Sequence, residues 1–219
     1  MDAILAVLVL VQDKPEELFA AVERKIVDAK TLRCKAKVEG TAKGTKSEFT
    51  GEAKFKSGNR MWFDLPGADG GKGRTCRIVC DGKERSLDGG RGEPSRDAAP
   101  EGFAAAVRLI VVRAGWVFVP VMAEGEGKPE DILKVSDFKL AADERIGERR
   151  VRVVEYTLKA DVGRELKLGV RLFIDAERLV PLKRETEDAG LGMKMSEAWS
   201  DVVLDGEIAD ADFALPAKK

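Results

Sequence analysis

The sequence predicts an α+β domain dominated by one antiparallel sheet, with a few helices. Three observations carry that prediction. Apolar residues recur with period two in two long blocks, residues 32–87 and 135–204. The opposite phase is heavily charged, as an antiparallel sheet with one wet face requires. Helical spacing is confined to the N-terminal stretch and to a single block in the middle of the chain.

The elements follow in order. Asp13 suits an N-cap, and Pro15 opens a helical stretch over residues 15–30. Phe19, Val22 and Ile26, with Leu18 and Ala29 beside them, form its apolar stripe. The period then changes. Leu32, Cys34, Ala36 and Val38 alternate with Arg33, Lys35 and Lys37; Phe49, Gly51, Ala53 and Phe55 alternate with charges; Met61, Phe63 and Leu65 share a face from which Trp62 points away. The runs GRTCRIVC and KERSL continue the meander around an Asp81-Gly82 hairpin turn. Residues 89–100 read as a loop. Residues 101–114 read as a helix, ended or kinked at Gly115, and the apolar run WVFVPVM over residues 116–122 follows. Five further strands are predicted at 135–142, 149–159, 165–175, 179–187 and 193–204. The total is about ten strands and two or three helices.

Composition narrows the function. Thirty-eight basic residues against thirty-nine acidic ones leave a net charge of -1. Nucleic-acid binding would need a clustered basic excess. The chain has no histidine, which removes Ser-His and Cys-His nucleophilic sites and most transition-metal sites. The carboxylate pairs Glu185/Glu187 and Asp210/Asp212 share strand faces but define no acid–base geometry. The expectation is a protein that is not an enzyme and uses no metal and no cofactor. Cys34, Cys76 and Cys80 cannot all pair within the chain. They read either as buried thiols or as a disulfide from Cys34 to Cys76 or Cys80. Trp62, Phe173 and Trp199 fall outside the main alternation or share a face with charges, and they read as isolated exposed aromatics.

Residues 3–11, AILAVLVLV, are nine apolar residues without interruption. That length suits the apolar centre of a signal peptide and is too short to span a bilayer. It also suits a hydrophobic first strand. Export is the expectation, with residues 1–12 a signal-peptide remnant and residues 13–219 a single domain.

The order of elements resembles the LolA/LolB-type lipoprotein-carrier superfamily, the outer-membrane lipoprotein-sorting proteins and their relatives. The resemblance runs over residues 14–217. It is carried by FTGEAKFKSGNRMWFDLPG with Arg60, Trp62 and Asp64, and by the Asp81-Gly82 turn. LFIDAERLVPLKRE, with Asp175, Leu179, Pro181 and Lys183, and the closing WSDVVLDGEIADADFALP, with Ile208, Asp210, Phe213 and Pro216, complete it. It implies a strongly curved half-barrel whose concave face is covered by helices and takes acyl chains or other hydrophobic ligands. On that reading Phe49, Phe55, Met61 and Phe63 on the sheet, and Trp116, Phe118 and Met122 from the helical block, line the cavity. The same residues also read as plain core. The implied partners are a lipid or lipid-modified protein, with an envelope protein as the alternative, and the implied place is the periplasm or cell envelope.

Overall fold

The computed structural model describes residues 14–66, 76–90, 93–120, 128–161, 163, 165–188, 190 and 192–217. The apolar run at 3–11, Asp13 and Met122 lie outside these residues. Pro15–Asp28 forms helix α1, with Leu18, Phe19, Val22 and Ile26 buried. Its proline occupies the first turn, where no N–H is needed, and Glu16 and Glu17 face the positive end of the helix dipole.

Six strands follow: β1 (Thr31–Ala42), β2 (Thr45–Lys56), β3 (Arg60–Leu65), β4 (Cys76–Asp81), β5 (Glu84–Asp88) and β6 (Ser95–Ala98). The central block holds helix α2 (Phe103–Arg113), a 3-10 turn at Trp116–Phe118 and the short helix α3 (Pro129–Ile132). The second set is β7 (Leu133–Leu140), β8 (Glu144–Ile146), β9 (Arg149–Asp161), β10 (Glu165–Asp175), β11 (Pro181–Asp188) and β12 (Met193–Leu204). All described pairings are antiparallel and join the strands into one twelve-stranded sheet, ordered β6-β5-β4-β3-β2-β1-β12-β11-β10-β9-β7, with β8 also on β9. The two ends, β6 and β7, do not meet, so the sheet is a curved half-barrel and not a closed one.

The sequence indicates about ten strands, and the two additional ones have a common character. β6 is exposed at all four positions, and β8 is a three-residue charged strand. Neither has an apolar alternation to betray it, since Ile146 is the one large apolar residue in the two strands. β6 is held instead by backbone pairing to β5 and by the ion pairs Arg96–Glu84 at 2.5 Å and Arg85–Asp97 at 2.7 Å.

The main core lies on one face of the sheet, under α1, α2 and the 3-10 turn. Leu32, Cys34, Ala36 and Val38 are all buried on it, as the alternation requires. The outer face carries two smaller features. A satellite cluster of Val151, Val153, Phe173 and Leu182 packs outside β9–β11. The register between β10 and β11 shifts at Phe173/Ile174, and Leu182 joins Phe173 in that outer cluster. Phe173 is therefore buried, not an isolated exposed aromatic; Arg171 and Lys183 lie over its ring, each 5.1 Å from the centroid. Across the other half, the C-terminal segment passes over β2–β4. Asp212 pairs with Lys54, Asp210 pairs with Lys56 and Arg60, and Phe213 is buried.

No disulfide joins Cys34 to Cys76 or Cys80: β2 and β3 lie between β1 and β4. Three strand spacings amount to about 14 Å, well beyond the reach of a disulfide. Burial pushes the Cys34 thiol up to about 12, and it also raises Cys80. Brief alkylation of the native protein with iodoacetamide is therefore expected to modify Cys76, which is half-buried, well ahead of the other two. Peptide mass spectrometry would locate the label. Equal labelling of Cys34 without denaturant would contradict the burial.

Candidate functional site

The residues predicted to line a cavity converge on the inner face. Phe55, Met61, Phe63 and Trp116 are fully buried, Phe118 is buried, and Phe49 is half-buried toward one end of the sheet. Strand register explains the convergence: Phe55 pairs with Met61, and Ala53 with Phe63, so all of these side chains rise from the same face of β2 and β3. Trp116 descends onto them from the helical block and stacks on Phe63, with ring centroids 5.2 Å apart. Gly51 makes this approach possible, since a Cβ there would lie 3.0 Å from Trp116 Cε3 and 2.9 Å from Leu65 Cδ1. Trp199 of β12 meets Trp116 edge-on at 6.1 Å. It is a buried inner-face residue, not an exposed aromatic.

The helical block is fastened to this apolar face by polar groups. Arg184 of β11 and Glu197 of β12 are both buried and pair at 3.0 Å. Arg184 donates to the carbonyls of Val111, at 2.9 Å, and Val112, at the C-terminal end of α2. A cation there satisfies carbonyls that have no partner within the helix and complements the dipole. Glu197 Oε1 accepts the backbone N–H of Trp116 at 2.9 Å. Burial raises the Glu197 carboxyl above its ordinary value, opposed by the Arg184 charge and by the backbone N–H groups of Trp116 and Val117. Between the two tethers stands Gly115, with φ of 108°, where a Cβ would lie 2.5 Å from Glu197 Oε1. Gly115 thus ends α2 and admits the ion pair beside the turn.

Two further arginines bind the helices to one another. Arg108 is buried, lies over the Phe55 ring and donates to the carbonyls of Ile26, Val27 and Ala29 at the end of α1. Burial lowers its pKa to about 10. Arg113 forms a two-pronged pair with Glu23 of α1, at 2.7 and 3.0 Å. Tyr156 of β9 donates its hydroxyl to the Arg113 carbonyl at 2.8 Å.

Arg184, Glu197, Gly115 and Trp199 are absent from the sequence-predicted set. Period two does place Glu197 inward, between Met195 and Trp199, but a charge at an inward position reads as solvated unless its partner is known. An open depression of about 650 Å³ lies elsewhere, lined by charged side chains including Glu39, Glu48, Glu187 and Lys194, and no predicted site residue borders it. Among the described residues no group of three or more His, Cys, Asp or Glu is placed to hold a metal ion. No helix among them is long and apolar enough to cross a membrane.

No family model and no curated protein matches the chain. Solved structures do. LprF from Mycobacterium bovis superposes with a TM-score of 0.52 at 8% identity, covering 93% of this chain and 97% of its own. A LolA superfamily protein, NE2245 from Nitrosomonas europaea, gives 0.44 at 10% identity over 92% and 98% of the two chains. The MucA/MucB complex of Pseudomonas aeruginosa gives 0.47 at 14% identity over 92% of this chain and 61% of that one. The likeness to LprF is one of fold, and the fold observed is the half-barrel that the lipoprotein-sorting resemblance implies.

Proposed function

We propose that the chain is a non-catalytic binding protein of the cell envelope, which takes a hydrophobic, acyl-bearing molecule between the inner face of its half-barrel and its helical block. One observation carries this reading. The apolar inner face of an open sheet is roofed by a helical layer whose C-terminal end is tied to the sheet by a few polar contacts, chiefly the ion pair Arg184–Glu197 and the Tyr156 hydroxyl. A layer secured by discrete tethers can part from the sheet as a unit. The surface it would uncover is built from Phe55, Met61, Phe63 and Trp199, and covering it with an alkyl chain gains roughly 25 cal/mol per Å² removed from water.

A second reading is favoured by a different observation. Trp116 fills its place completely, stacked on Phe63 and meeting Trp199 edge-on. A domain whose interior is occupied by its own side chains would use the same fold to contact a protein partner of the envelope. Phe118, buried in the 3-10 turn, separates the two readings. On the binding reading, wild-type protein takes up a fluorescent fatty-acyl ester probe, and Phe118→Asp abolishes uptake at a moderate loss of stability. If the turn is a permanent plug, the same substitution leaves an unpaired charge in the core and the domain largely unfolds. A wild-type chain that takes up no acyl probe would end the first reading.

A further inference from the structure

The interior holds an imbalance of hydrogen-bonding groups. The buried side-chain polar atoms without a partner among the described residues are four, and all are nitrogen donors: Nε of Arg108 and Arg184, and Nε1 of Trp116 and Trp199. Buried donors are normally paired, and one left alone is costly. Three of the four residues that carry them lie next to Glu197 in the fold. Glu197 pairs with Arg184 and accepts the backbone N–H of Trp116, and Trp199 follows it by two residues on the same strand face. Trp116 and Trp199 are in ring contact. The result is an apolar interior in which the unmatched side-chain polarity among the described residues is entirely of the donor kind.

We infer that the molecule bound in this interior carries an uncharged acceptor oxygen, the carbonyl of an acyl ester or amide, and that this oxygen lodges against the indole N–H groups of Trp116 and Trp199 beside Arg184. The inference rests on the interior being the binding site, as proposed above, and adds the chemistry of the ligand's polar end. The choice among acceptors follows from Glu197. A carboxylate ligand would set a second negative charge beside it in a medium of low dielectric, where like charges repel strongly. A plain hydrocarbon would leave the donors as they are. A neutral carbonyl satisfies them without either cost. The carbonyl end therefore enters the interior, and the chain's tail extends along Phe63 and Phe55.

Two probes of equal length separate these cases: monodecanoylglycerol and its decyl ether, which differ by the carbonyl oxygen alone. The ester is expected to bind the full-length protein about tenfold more tightly, the ratio that corresponds to about 1.4 kcal/mol. In ¹⁵N-labelled protein the indole N–H signals of Trp116 and Trp199 should shift with the ester. That of Trp62, which stands on the outer face with Lys54 over its ring, should not. Trp199→Phe keeps a ring and removes the donor, and it should bring the ester-to-ether ratio toward unity. Equal affinity for ester and ether, or a shift confined to Trp62, would overturn the inference and leave the hydrophobic-binding reading standing. Ordered water on the indoles that the ester does not displace would also overturn it. Failure of both probes to bind would remove the reading and the inference together.

Discussion

Arg184→Ala is expected to lower the stability of the fold by about 3–5 kcal/mol, because it strips the partner from a buried carboxylate. It also removes the donors on the Val111 and Val112 carbonyls, so the end of α2 loses its cap at the same time. The loss should depend on pH in a defined direction. Burial raises the Glu197 pKa in the folded chain above the unfolded value, so the folded state holds its proton more tightly. Stability therefore falls as pH rises from the unfolded pKa through the folded one, and below the unfolded pKa no penalty remains. Removing Arg184 takes away the charge that holds the folded value down, which widens the window. The deficit of the variant, measured by urea denaturation, should shrink as pH is lowered from neutrality toward the ordinary carboxyl range. A deficit independent of pH would show that Glu197 is not the group left uncompensated.

Gly115→Ala is expected to cost about 3 kcal/mol, assembled from two sources. A φ of 108° with ψ of 172° is a backbone region essentially confined to glycine, and occupying it with alanine alone costs about 1–3 kcal/mol. The new methyl would also lie 2.5 Å from Glu197 Oε1 and 2.8 Å from Arg184 Nη1, forcing the ion pair apart. Gly44 supplies the control. It too has positive φ, at 81°, but nothing lies within 4 Å of its Cβ position, so Gly44→Ala should show the backbone term alone. Combined with Arg184→Ala, Gly115→Ala should cost less than the sum, since both act on one contact. Strict additivity would place the effect of Gly115 elsewhere.

Much of the architecture can be read from residue order. Period two assigns Leu32 to Val38, Met61 to Leu65 and Leu166 to Ile174 to their faces, because burial on one side of a sheet leaves no other arrangement. The helix stripe of Phe19, Val22 and Ile26 is equally plain, whereas the meeting of Trp116 with the sheet face of Phe55 and Phe63 is implied only by the lipoprotein-sorting resemblance. Phe173 and Trp199 resist the same reading for opposite reasons. Phe173 lies on the charged face, where a small second cluster, completed by a register shift, encloses it. Trp199 lies on the inner face beside Glu197, and a carboxylate there marks a surface unless Arg184 is known to sit across from it. Tethers between strands remote from the helices they hold depend on register, which one-dimensional periodicity does not carry. β6, without a buried position, has nothing for a pattern to detect.

The placement of β1 beside β12 has a consequence for how the chain reaches its final state. The middle of the sheet joins residues 32 and 204, while the hairpins on either side of that seam are local. Local pairs can form early, but the seam requires closing a loop from residue 32 to residue 204, and such distant pairings slow folding. During synthesis the two halves can each assemble and yet expose an unpaired strand along the future seam, the kind of edge on which chains aggregate or on which chaperones act. Completion of the seam waits on β12, so the two halves cannot join before β12 has emerged, and the time spent incomplete is set by the position of one strand in the sequence.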